Sequence, residues 1–292
     1  MLYTSTGKGG SMIKNGFKLG IGSFAYRYAI GCRDFIPEKP MNTLDFLDEA
    51  ARLGYQGVQL CENLNYVNLS EQELFQIRER AKRLGLFIEL GMKGISMENC
   101  QKHLSIARVL SSKFLRIVLG DHQSLREDDD LQLRSIKALK ALLPYLEEAE
   151  MSVGIENHFD LCTKELVEIV KEVNHSRVGL IFDTTNGLGF MERPEETFHL
   201  IQPYLLSMHL KDFVIKKVEA GYFITGTTLG RGQLATAELV NRALRNKPNL
   251  SIILEMTIRR DENKSQEEVL LWEKQSIEAS TRFLKQSLRQ SC

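Results

Sequence analysis

The sequence of 292 residues predicts an α/β chain folded as a single closed (β/α)8 barrel of TIM type. Three observations carry this expectation. Short β-rich apolar runs alternate eight times with longer stretches of helical period from Lys18 onward. The turn after the first run, SFAYRYAIGCRD, has no GxGxxG, the fingerprint that a dinucleotide-binding open sheet carries there. The length suits one barrel, which typically takes about 250 residues.

In order, the expected strands are KLGIGSFAY from Lys18, GVQLCE from Gly57, LFIELGM from Leu86, KFLRIVLG from Lys113, SVGIENH from Ser152, VGLIFDTTN from Val178, LLSMHLKD from Leu205 and LSIILEM from Leu250. Thr43 is expected to cap a helix running to Gly54, and Ser70 with Glu73 to form a capping box for a helix stopped at Gly85. Ile136, Leu139, Leu143 and Leu146 recur at helical spacing and make an apolar stripe. Pro194 opens the sixth helix at its first position, and Trp272 and Phe283 are expected to anchor the last. Residues 213–235, which hold TTLGRG, are the one long excursion and a candidate active-site loop. Residues 1–17, with Met12 as an alternative start, read as a mobile N-terminal arm, and residues 18–292 as the barrel, with no second domain.

Composition narrows the function classes. Charged residues at 26% and hydrophobic ones at 43% are ordinary for a soluble globular enzyme. Lys plus Arg equals Asp plus Glu at 38 each, so no net field draws the chain to nucleic acid or to an anionic membrane. Five cysteines (Cys32, Cys61, Cys100, Cys162, Cys292), an odd number without CxxC spacing, argue against a disulfide framework and a cysteine zinc site. The opening residues lack the apolar core of a signal peptide, and no apolar run is long enough to span a bilayer. A cytoplasmic location is the expectation, and a homo-oligomer is left open.

The candidate site follows from strand parity. Side chains alternate between barrel interior and helix layer. Ile155, Phe182, Met208 and Leu254 precede Glu156, Asp183, His209 and Glu255 on the last four strands, so apolar neighbours facing the helices turn the four polar groups inward. All four sit at the carboxyl ends of their strands, where barrels of this kind assemble their sites. Three buried carboxylates repel one another and lose their hydration, and one divalent metal ion, Mn, Mg, Co or Zn, is the simplest remedy for this O/N donor set. Singly, each acid is more often a structural salt bridge or helix cap and a lone interior histidine more often hydrogen-bonded than a ligand; the matched depth on successive strands favours ligands. Two positions further, His158, Thr185, Lys211 and Thr257 form a second polar ring. Asp212 is expected to anchor Lys211 or a helix terminus.

At these residues the chain resembles the xylose isomerase-like barrel superfamily, in particular its sugar phosphate isomerase/epimerase group, which includes D-tagatose 3-epimerase and myo-inosose dehydratase. The carriers are GYQGVQL (54–60), ENH (156–158), FDTTN (182–186), HLKD (209–212), LGRG (229–232) and LEM (254–256). The resemblance implies that Glu156, Asp183, His209 and Glu255 bind the metal and that Glu156 and Glu255 also move protons. One departure stands out: where the epimerases have a substrate-contacting histidine, this chain has Asn186. The opening GSFAYRYAIG also resembles group members that act on unusual keto acids, 3-oxo-isoapionate decarboxylase among them. The superfamily's zinc endonucleases are a poor match, given six histidines in all and no net positive charge to grip DNA.

The expected activity is a metal-dependent isomerase or epimerase of a keto-sugar or related hydroxy-ketone, working through an enediolate. His158, Asn186, Lys211 and Arg231 are the expected substrate contacts. A lyase using the same enolate, either an inosose-type dehydratase or a keto-acid decarboxylase, is the first alternative; Lys211, Arg231 and Arg27 are then candidates to hold the substrate carboxylate. A sugar-binding barrel without catalysis is the second. The loop at Gly230, Arg231 and Gly232 reads either as an anion-binding nest or as a plain tight turn.

Overall fold

The computed structural model describes residues 16–120 and 130–289. Most of the predicted N-terminal arm therefore lies outside the described residues, and Phe17, at its end, packs against the core.

Eight parallel strands close a barrel: β1 (Lys18–Gly22), β2 (Gly57–Leu60), β3 (Phe87–Lys93), β4 (Phe114–Val118), β5 (Ser152–Glu156), β6 (Val178–Asp183), β7 (Leu205–Leu210) and β10 (Ser251–Leu254). Each begins within one residue of its sequence-based start. Closure comes from β1, which pairs in parallel with both β2 and β10. The two remaining strands, β8 (Asp212–Val218) and β9 (Gly221–Thr227), form an antiparallel hairpin outside the barrel. The excursion at 213–235 is thus regular structure over much of its length rather than loop, because alternating β-rich residues flank a tight turn at Gly221.

The helices are α1 (Arg27–Ile30), α2 (Thr43–Arg52), α3 (Glu71–Leu84), α4 (Met97–Leu110), α5 (Leu131–Glu148), α6 (Thr163–Val173), α7 (Pro194–Ile201), α8 (Thr236–Asn246) and α9 (Gln266–Arg289). Among the described residues, none is long and apolar enough to cross a membrane. The capping box of α3 forms as expected, and Gly85 ends it in the left-handed region at φ 69°. For α2 the cap is Asn42 rather than Thr43: its side chain accepts from Asp45 N while the Asp45 carboxylate accepts from Asn42 N, making Thr43 the first helical residue. The buried face of α5 is rotated from the predicted stripe; Leu139, Leu142 and Leu146 are buried, while Ile136 and Leu143 flank the core. Pro194 stands at the start of α7. On α9, Val269, Ile277, Leu284 and Leu288 are the buried anchors. Trp272 packs beside Tyr28 at a centroid distance of 6.3 Å and Phe283 lies at the edge of the core, so both are only partly buried.

The core lies between strands and helices. Ile155, Phe182, Met208 and Leu254 are fully buried in it, and Phe182 packs at a tilt against Phe198 of α7 with ring centroids 5.3 Å apart. Their neighbours along each strand are therefore left facing the barrel interior.

Glu273 of α9 accepts from the backbone N–H groups of Tyr28 (2.7 Å) and Ala29 (2.9 Å), tying α1 to the last helix. Burial outweighs these two hydrogen bonds and pushes its carboxyl from 4.5 up to about 7. Between those values the folded chain holds a proton that the unfolded chain has released, so this group's contribution to stability falls as pH rises through the window. Glu273→Gln removes that slope and should gain on the wild type between pH 5 and pH 8 in paired unfolding titrations; parallel pH profiles would contradict it. Ser70→Ala removes the α3 cap and should cost about 1 kcal/mol in urea unfolding at any pH in that range.

Candidate metal centre and cavity

The barrel brings Glu156, Asp183, His209 and Glu255 together, each offering a ligand atom within 4.8 Å of the others, all buried. Register explains how. His209 lies opposite Asp183 in the β6–β7 pair, and Glu255 follows Leu254, which lies opposite Leu210. Room for Glu255 comes from Gly22 on β1, where a Cβ would stand 3.0 Å from Glu255 Cγ.

The local bonds aim the donors. Asp183 Oδ1 accepts from the N–H groups of Thr185 and Asn186, both at 2.9 Å, leaving Oδ2 turned inward. Asn157 clamps the Asp183 backbone from both sides, donating to its carbonyl and accepting from its N–H. His209 Nδ1 lies 3.3 Å from Glu156 Oε2 and 3.4 Å from Glu255 Oε1 without a hydrogen bond to either. Asp183 Oδ2, both His209 nitrogens and Glu255 Oε1 are buried without hydrogen-bond partners, although Lys211 Nζ forms an ion pair with Asp183 Oδ2 at 2.7 Å. Orphaned oxygen and imidazole donors converging on one point fit a divalent cation, and this cluster fits such a site.

Two cations border the cluster. Lys211 Nζ also reaches Glu255 Oε2 at 3.0 Å, and Arg116 Nε donates to Glu156 Oε2. Burial alone would raise the Glu156 carboxyl, but Arg116 and His209 beside it hold it well below the usual range. Burial likewise works against Glu255, and Lys211 and then His209 bring it below its ordinary value. On His209 burial opposes the charge, while Glu255 and Glu156 outweigh it and raise the imidazole.

Through Glu255 the cluster borders a cavity of about 750 Å³ at the carboxyl ends of the strands, within the usual range for small-molecule sites. His158, Thr185, Lys211 and Thr257, the predicted second ring, all line it. So does Asn186, which donates to Glu156 Oε1 at 2.9 Å. Burial holds His158 down at about 4, leaving a neutral imidazole at pH 7. Phe213, Ile224 and Thr225 of the β8–β9 hairpin form part of the wall, so the excursion does lie over this end of the barrel. A second concavity of about 680 Å³ opens at the amino-terminal end, with Lys18, Glu89 and Ser251 in its wall and none of the four cluster residues.

Arg231 is not brought together with the other expected contacts: it is exposed on the turn after β9 and is not among the residues lining this cavity, and Asp212 holds that turn from within. Asp212 Oδ2 accepts from Gly230 N and Gly232 N, both at 2.9 Å, and Oδ1 from Leu234 N at 3.1 Å. The N–H groups of the expected anion nest are thus already satisfied within the chain, Gly230 and Gly232 by the Asp212 carboxylate and Arg231 by the Thr228 carbonyl, and Asp212 anchors neither Lys211 nor a helix terminus.

Sequence reasoning missed Arg116. The parity rule applied to β4 finds it: Ile117 lies opposite Ile155, which faces the helices, so Arg116 between Leu115 and Ile117 must face inward. An arginine at an interior barrel position is the signal that went unused. Asn63, on the short 3-10 helix Glu62–Leu64, and Phe159, after β5, also stand in the cavity wall and carry no such periodic mark.

The family profile described as Xylose isomerase-like TIM barrel matches residues 47–286, and the chain belongs to that family. By sequence it is similar to the 3-oxo-isoapionate decarboxylase of Pectobacterium atrosepticum, with 26% identity over 239 residues, covering 81% of this chain and 84% of the relative. Among solved structures it is similar to a D-psicose 3-epimerase crystallised with D-fructose, at TM-score 0.68 and 16% identity, covering 93% of this chain and 98% of the other. A Xylose isomerase-like TIM barrel protein from Mycobacterium smegmatis in complex with magnesium aligns at TM-score 0.66 and 14% identity, covering 92% and 99%. At such identities the two structures speak for the fold alone.

Purified protein should carry about one divalent ion per chain, and Asp183→Ala or His209→Ala should abolish it, since one lost donor of four opens the site to water. Elemental analysis decides; full occupancy in both variants would sink the assignment.

Proposed function

We propose that this chain is a divalent-metal-dependent enzyme that carries a small hydroxy-carbonyl compound through an enediolate, with Glu156, Asp183, His209 and Glu255 as metal ligands. The observation that carries the reading is the buried four-residue cluster beside a cavity that its Glu255 lines. When bound, the ion supplies the Lewis-acid charge that acidifies a C–H beside the carbonyl.

The chain's own residues divide the remaining work. Glu255 stands in the cavity wall with Oε1 free of hydrogen bonds, and it takes the proton. Glu156, its oxygens engaged by Asn186 and Arg116, is held in one orientation and takes part in returning it. Lys211 steadies Glu255 and offers its ammonium to a substrate oxygen. Proton return to the opposite face inverts the carbon; return to the neighbouring carbon isomerises the ketose. Isomerase or epimerase action on a keto-sugar or related hydroxy-ketone is the first reading.

A second reading is supported by the decarboxylase relative, which aligns over most of both chains. There a 3-oxo acid loses CO2, the bonding pair stays on the carbon beside the carbonyl, and a proton then fills that carbon. The inosose-type dehydratase has no comparable support.

Glu255→Gln and Glu156→Gln should each retain part of the metal while turnover falls by about two to four powers of ten, with Glu255→Gln the more severe. In D2O an isomerase or epimerase places deuterium on the carbon skeleton of recovered substrate, and Glu255→Gln should suppress that exchange. A decarboxylase labels product alone. Undiminished turnover in both variants would defeat the acid/base roles of the two glutamates, whereas metal-loaded wild type that turns over no hydroxy-carbonyl compound would leave a barrel that only binds sugar.

A further inference from the structure

Arg116 is used only in part by the scheme above. Its side chain is 4% exposed, its Nε is committed to Glu156, and its Nη1 is buried without a hydrogen-bond partner. The nearest anion on that side, Glu62 Oε2, is 3.8 Å away on a side chain that is 38% exposed. Arg116 also lines the cavity, together with Lys211, Asn186 and Glu255. A guanidinium N–H buried without a partner is costly, and such a group is retained where something else completes it.

The charges of the inner site point the same way. Glu156, Asp183 and Glu255 bring three negative charges, and Arg116 and Lys211 two positive ones. A divalent ion turns that single negative excess into a single positive one. Arg27, also in the cavity wall, adds a further cation toward the rim, where Asp34 is 3.9 Å from it. A neutral sugar leaves this excess to Glu62 alone, 3.8 Å from Arg116 on a side chain 38% exposed and so screened by solvent; one carboxylate in the cavity cancels it. Carboxylate geometry also matches the planar fork of arginine, which a hydroxyl matches less well.

We propose that Arg116 is a substrate-binding, specificity-determining residue that receives a carboxylate, so that the substrate is a small hydroxy- or oxo-acid rather than a neutral keto-sugar. This rests on the metal-centre reading of the site and, within the hydroxy-carbonyl class proposed above, replaces the neutral keto-sugar by a keto- or hydroxy-acid. It is compatible with either outcome of the enediolate step, and a 3-oxo acid that loses CO2 supplies such a carboxylate.

The test is equilibrium binding, by calorimetry on metal-loaded protein, of two three-carbon probes: glycerate, a hydroxy-acid with one carboxylate, and dihydroxyacetone, which is neutral. Arg116→Met should weaken glycerate by about tenfold or more while dihydroxyacetone stays within about twofold of wild type and metal content is unchanged. Equal weakening of both probes, or of neither, overturns the assignment. Should Arg116→Met fail to load metal, Arg116→Lys, which keeps the charge beside Glu156 but not the fork, takes its place with the same selective loss expected. Metal loss in both variants makes Arg116 a support of the metal centre and likewise overturns the proposal. Failure of the metal-centre reading is seen separately, as wild-type protein that takes up no divalent ion.

Discussion

Three carboxylates and an imidazole crowd within 4.8 Å of one another in the interior of this barrel, and the surrounding structure answers to that crowding. Desolvated like charges repel strongly, so such a cluster survives only where cations and oriented dipoles offset it. Arg116 on Glu156, Lys211 between Asp183 and Glu255, and the N–H groups of Thr185 and Asn186 on Asp183 do so here. Each of these contacts also fixes a donor atom in place. Compensation of charge and aiming of ligands are the same set of bonds.

The barrel makes this arrangement possible because parallel pairing holds the interior positions of adjacent strands side by side. One residue of slip on any strand would send its polar group into the helix layer and an apolar neighbour such as Phe182 or Met208 into the site. The apolar seal is therefore part of the site: Phe182 against Phe198 of α7 keeps β6 in the register that presents Asp183. Around the mouth, β8–β9 extends the wall beyond what the barrel strands provide, and Asp212 at its base ties the following turn to the body through three N–H groups. The same Asp212 takes the anion-binding capacity from that turn. The cations in the cavity wall nearest the cluster are Arg116 on β4 and Lys211 between β7 and β8.

Much of this was legible in the amino-acid sequence, for a definite reason. Strand starts, the α3 capping box, Pro194 at the head of α7 and the inward parity of Glu156, Asp183, His209 and Glu255 are all written in local order, because strand and helix periods are properties of neighbouring residues. Where reading failed, the deciding contact was remote or the local signal was shared. Asn42 and Thr43 are adjacent residues of capping type, and only the bond to Asp45 N distinguishes them. Arg231 sits in a glycine-flanked turn that resembles an anion site until Asp212, at least eighteen residues earlier, is seen to fill it. Trp272 and Phe283 have the size of anchors, yet the rotation of α9 places Ile277 and Leu284 inward instead.

By itself the sequence determined the barrel, its strand order along the chain, and which four residues point into it, since each follows from periodicity and spacing. Only the tertiary structure decided how those residues meet: the stagger that sets His209 opposite Asp183, the hairpin in place of a loop, and the pairing of Arg116 with Glu156 across 40 positions of chain. Such contacts depend on how neighbouring strands slide past one another and on how charges far apart in sequence share one desolvated volume. Neither is encoded in the pattern of any single segment.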